Sequence, residues 1–146
     1  MEDILLGEFL GSVFLILFGG GVVANSLLTK SKGINAGWLA ISTGWGFAVM
    51  GGVFVAKSAG SVQADLNPAV TLAKYLLGGI YTISEIFPIM CAQISGCFLG
   101  AILVWLTYLP HWKETSDPSL KLAVFSTGPA IRHSPSNLMT ECPPNK

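Results

Sequence analysis

Charge is what this sequence has least of: Asp, Glu, Lys and Arg make up 11% of its 146 residues, against about 25% in soluble domains. The eight basic and eight acidic residues cancel and form no long run, so neither a nucleic-acid partner nor an electrostatic anchor to a membrane surface is indicated. Cysteine is scarce too. Cys91, Cys97 and Cys142 form no CxxC pair and no Cys/His cluster with zinc spacing; Cys91 and Cys97, within one apolar segment, read as small buried hydrophobes. There is no nucleophile with a base and orienting partner, no phosphate-cradling glycine loop and no metal-ligand set. No enzyme activity, cofactor or metal is therefore expected, and His111 and His133, in a polar stretch, read as solvated.

What remains is apolar. Hydrophobic residues make up 51% of the chain and the mean hydropathy is +0.62, which predicts an all-α membrane protein partnered by the lipid bilayer. Since a bilayer-spanning helix needs about 20 apolar residues, three spans are expected, at about 4–28, 33–56 and 86–109. A secretory signal peptide is disfavoured for the first, because "MED" is not a basic start and the apolar run is too long. Between the second and third spans lies "DLNPAVTLAKYLLG". Its helix is expected over about 67–78, of which Asn67 to Leu77 would be roughly 16 Å long at 1.5 Å per residue, half the hydrocarbon thickness. It must enter the membrane and stop, as a re-entrant half-helix.

Asn67 followed by Pro68 is a strong helix start, since Asn caps free amides and Pro suits the first helical position. At membrane depth such an interruption is tolerated only in packed protein or along a water-filled path. A half-helix amino terminus there carries about +0.5 charge, disfavouring cations while accepting neutral solutes with hydroxyl or carbonyl oxygens. Glu8 is the lone carboxylate of the first span. It is a functional-site candidate, an interfacial charge, or, the reading preferred here, an acceptor for the unpaired backbone of the re-entrant loop. Gly7 with Gly11, and Gly96 with Gly100, form GxxxG patterns that suit close helix packing. Trp105, Tyr108 and Trp112 suit an aromatic belt at the membrane interface, with core packing as the alternative, and the Pro-, Ser- and charge-rich text beyond reads as a loop over 111–140.

The order "GEFLGSVFLILFGGG", "LNPAVTLA" and "AQISGCFLGAIL" resembles the amino-terminal half of the major intrinsic proteins, the aquaporins and glycerol facilitators, and "YLPHWKETSDP" with "KLAVFSTGPAIR" resembles the glycerol-facilitator branch. The resemblance implies one repeat of an aquaporin-like fold over 1–110, an extracellular connecting loop over 111–140, and at 141–146, where Glu141 would mirror Glu8, the aborted start of a second repeat. It implies passage of glycerol and other small neutral solutes, a homotetramer, and a multi-pass chain in the cell membrane with a cytoplasmic amino terminus. That orientation opposes the charge count, which leaves Lys57 and Lys74 inside and Lys30, Lys32, Lys113, Lys121 and Arg132 outside. Asn67, Pro68 and Ala69 would be the first pore motif, Glu8 its support, and Trp45 the filter aromatic, with Phe47 the alternative if the register differs. Asp65 stands where many relatives carry His. A truncated half-channel without conduction, pairing with a separate second-half chain, and a water-selective pore are the competing expectations.

Overall fold

The computed structural model describes residues 1–128, so Glu141, Cys142, Arg132 and His133 and the segment 141–146 lie outside the described residues. Long charge-poor runs become long helices. α1 (Glu2–Leu27), α2 (Gly37–Ser58) and α4 (Ile83–Thr107) are each long and apolar enough to cross a membrane. Between the last two comes α3 (Pro68–Leu76), nine residues long and therefore about 14 Å. The described residues thus form an all-α membrane architecture, three spans and one half-length helix.

α1 is the centre of the arrangement, packing along α2 on one side and α4 on the other. Glycine makes both approaches close. A Cβ on Gly7 would lie 2.6 Å from the Ala56 carbonyl oxygen, and one on Gly11 2.8 Å from that of Gly52, so these two glycines face α2. On the opposite seam, Gly96 and Gly100 of α4 lie against the Phe9 and Val13 carbonyls of α1, with the added Cβ of Gly100 2.8 Å from the latter. Many large apolar side chains, Phe47, Phe54 and Phe87 among them, point outward. In lipid that is no penalty, and close backbone packing takes over the role that hydrophobic burial has in water.

Each boundary has a local cause. Asn67 is extended and its Oδ1 accepts from the Ala69 amide at 2.9 Å, with Pro68 next, so α3 begins where the sequence reading placed it. α4 starts three residues before its expected position because Thr82 and Glu85 form a reciprocal capping box.

The segment beyond α4 departs from a plain loop: α5 (Leu109–Glu114) and α6 (Pro118–Phe125) lie within it. Asp117 accepts from the Ser119 amide at 2.8 Å and Pro118 occupies the first helical position, so the Ser-Asp-Pro text that reads as a turn is a helix cap here. α6 returns to α1 through Val124, buried with Val23, Ala24, Leu28, Ile41 and Val104. His111 also departs from a solvated role: it is half-buried, with Nδ1 3.0 Å from the Thr29 carbonyl.

Candidate functional site

The connection from α2 to α3 turns through left-handed backbone. Gly60 has φ +107°, and Ala64 and Leu66, which carry side chains, are left-handed at φ 45° and 52°. Such conformations cost on the order of 1–3 kcal/mol each for non-glycine residues and persist only when the surroundings over-determine them. Glu8 does this. Its side chain is fully buried, with Oε1 accepting from Ser61 Oγ (2.6 Å) and the Asp65 amide (2.9 Å), and Oε2 from the Leu66 amide (2.8 Å) and Gln93 Nε2 (2.9 Å). Every partner is a donor. Ser61 Oγ in turn accepts from the Ala64 amide at 3.1 Å, so both left-handed residues lie within one hydrogen-bonded unit.

Magnitudes decide whether this placement is sustainable. A carboxylate at the centre of a membrane helix costs about 2.5–3.5 kcal/mol on insertion scales. Hydrogen bonds to charged groups contribute about 1.5–3 kcal/mol each, and Glu8 has four. The bonds outweigh the penalty, and loop and helix become one piece.

A second buried acid continues the network. Asp65, its side chain fully buried, accepts from Thr71 Oγ1 (2.9 Å), from the Tyr81 hydroxyl (2.8 Å) and from Lys74 Nζ. Thr71 Oγ1 also accepts from Gln93 Nε2 at 2.9 Å, joining the two acids through α4. Burial, reinforced by the Asp65 carboxylate beside it, raises the Tyr81 phenol above its ordinary pKa, so Tyr81 remains a donor. Sequence reasoning assigned no role to Gln93, Thr71, Lys74 and Tyr81 and met Asp65 only as a departure from His. An amide in an otherwise apolar span was the available signal for Gln93; Tyr81 carried none.

Asn67 itself is exposed at the head of α3. Because a backbone N–H can only donate, the atom facing Ala69 must be the carboxamide oxygen. The Nδ2 group, with two donors, is thereby turned away from the cap. Ala69 is exposed and Pro68 half-buried beside it.

Toward the other ends of α1, α2 and α4 lies an apolar cavity of about 1140 Å³, bordered by Ile16, Gly20, Trp45, Cys97 and Phe98 and by residues 123–128. Trp45 is half-buried, its ring seated over Gly19, where any Cβ would collide with it. Phe47, two residues on, is 64% exposed and not part of this lining. Of the two aromatics, Trp45 alone reaches the cavity. Asn67 does not border it, so the structure does not bring the two expected pore residues into one chamber among the described residues.

A family profile described as "Major intrinsic protein" matches residues 2–134. The chain is 53% identical over 140 residues to a probable glycerol uptake facilitator protein of Thermotoga maritima, covering 95% of this chain and 58% of the relative. It is 48% identical over 137 residues to glycerol uptake facilitator protein 3 of Lactiplantibacillus plantarum, covering 94% and 56%. To the glycerol uptake facilitator protein of Streptococcus pneumoniae strain R6 it is 47% identical over 141 residues, covering 97% and 59%. The chain thus spans somewhat over half the length of the curated relatives it matches, and aligns as an amino-terminal half. No solved structure matches.

Proposed function

The chain belongs to the major intrinsic protein family, and from that premise we propose that it supplies one half of a channel for passive diffusion of glycerol and other small neutral solutes. The observation that carries this reading is the orientation of Asn67. With its oxygen committed to the Ala69 amide, the Nδ2 donors at the head of a half-helix are available to a solute hydroxyl, while the dipole repels cations. Trp45, on the wall of the apolar cavity, supports a role against the carbon backbone of a polyol. The reading involves no covalent step and no cofactor.

The remaining parts follow the family. A complementary half-helix would meet the Asn67 end from the opposite face, supplied by further chain or by a separate second-half polypeptide. The amino terminus is cytoplasmic in this proposal, the connecting segment 111–140 is extracellular, the host is the cell membrane and the assembly is a homotetramer. Gly7, Gly11, Gly96 and Gly100 hold the half together through their seams with neighbouring backbone.

The test is solute flux in proteoliposomes, followed by light scattering with glycerol and water separately. Glycerol passage that drops when Asn67 is replaced by Ala supports the assignment. Flux unchanged by Asn67→Ala removes Asn67 from the pore, water passage without glycerol passage replaces the substrate, and no flux at all identifies a non-conducting half.

A further inference from the structure

Two buried acids, Glu8 and Asp65, flank the head of α3, and the reading above uses neither. The bonds around them close on themselves. The Asp65 amide donates to Glu8 Oε1, Thr71 Oγ1 donates to Asp65 Oδ2, Gln93 Nε2 donates to Thr71 Oγ1, and the same nitrogen donates to Glu8 Oε2. The result is a hydrogen-bonded ring drawn from α1, the loop, α3 and α4. Asn67 lies in the short chain segment between two of its members, two residues after Asp65 and four before Thr71. Its carbonyl accepts from the Thr71 amide at 3.1 Å, so Thr71 holds the Asn67 backbone with one group and Asp65 with another.

We propose that Asp65 is a positioning residue for Asn67, closing this ring and locking it by its ion pair with Lys74, so that the direction of the Asn67 carboxamide depends on Asp65. The inference rests on the assignment of Asn67 to the pore. Three features carry it. The acid reaches three separate places, mid-α3 through Thr71, the end of α3 through Lys74, and the α3–α4 connection through Tyr81. The left-handed turn at Leu66 lies between Asp65 and Asn67, so the Glu8 bonds to the Asp65 and Leu66 amides and the Asp65 side-chain bond to Thr71 bracket the backbone that enters Asn67. The Asp65 side chain is fully buried while that of Lys74 is 27% exposed, so the pair is not an ordinary solvated surface bridge.

The test separates positioning from mere folding. Fewer folded channels lower the permeability of every solute in proportion, whereas a displaced Asn67 changes the ratio between solutes. Permeabilities of glycerol and of a five-carbon polyol are compared in proteoliposomes of the protein as the cell makes it. Asp65→Asn and Thr71→Val are expected to change the ratio by about two- to fivefold, the scale of one lost hydrogen bond, and Thr71→Ser to restore the ratio lost in Thr71→Val. An unchanged ratio in Asp65→Asn, alongside a changed ratio in Asn67→Ala, overturns the positioning role and leaves the pore assignment standing. An unchanged ratio in Asn67→Ala removes both. Should Asp65→Asn not accumulate, Tyr81→Phe removes a single donor from the acid. A shifted ratio in that variant supports the role, and an unshifted one overturns it.

Discussion

Residues 59–67 and residues 108–128 both leave the long helices, and they are held by opposite means. The first connection is pinned from within, its amides at Asp65 and Leu66 bonded to one buried carboxylate and its backbone left-handed at two side-chain-bearing residues. The second is two short helices, α6 with its own Asp117 cap, fastened at the rim: Thr115 Oγ1 accepts from the Thr29 amide at 2.9 Å, Lys30 pairs with Glu114, and Trp112 stacks on Phe125 with centroids 5.6 Å apart. Trp112 Nε1 also donates to the Trp105 carbonyl, so the expected belt aromatics partly bond to one another. The contrast follows from the solvent. At membrane depth every polar backbone group needs a protein partner, whereas near water an unpaired amide finds one freely.

The sharpest break of this contrast is at Glu8. Glu8→Ala strands donors of Ser61, Asp65, Leu66 and Gln93 together; a loss of at least about 3 kcal/mol is expected, seen as a large fall in the melting temperature of the detergent-purified protein. Next comes the glycine seam beside it. Gly100→Val forces α4 away from the Val13 carbonyl of α1 and is expected to cost about 1–3 kcal/mol by overpacking, while Gly21→Ala, with nothing within 4 Å, leaves the melt unchanged. Equal melts for the two would remove the seam from the account.

In the outer segment the effects shrink. Thr115→Val removes the acceptor of the Thr29 amide, and a loss of about 1 kcal/mol is expected, read as faster hydrogen exchange confined to residues near 29 and 115. The smallest effect concerns acidity. The hydrogen bond from Lys30, and its charge, hold the Glu114 carboxyl below its usual range. A lowered folded-state value means that the contribution is present above the ordinary carboxylate range and is lost as pH falls through the lowered one. Trp fluorescence of the rim is expected to change slightly on acidification, and Lys30→Gln to remove that change; a response identical in both would detach Glu114 from it.

Much of this was readable in the chain because it is local. Run length and the absence of charge placed three spans within a few residues, and Asn67 with Pro68 marked the start of α3. α5 and α6 were hidden because Pro serves turns and first helical positions alike, and for α6 the Asp117 bond to the Ser119 amide separates the two uses. Between Trp45 and Phe47 the sequence resemblance favoured Trp45 and kept Phe47 for a different register; helix rotation against α1 put Trp45 over Gly19 and Phe47 outside.

By itself the sequence determined that apolar helices cross a membrane, that a helix too short to cross interrupts them, and that a carboxylate sits in the first span. The sequence reading aimed that carboxylate at the backbone of the re-entrant loop; tertiary structure decided which groups it meets, the Asp65 and Leu66 amides with Ser61 and Gln93. Its partners lie 53 to 85 residues away, and nothing in local periodicity sets such pairings. They exist because glycine lets α1 approach both neighbours closely enough for Glu8, Gln93, Thr71 and Asp65 to share one set of hydrogen bonds.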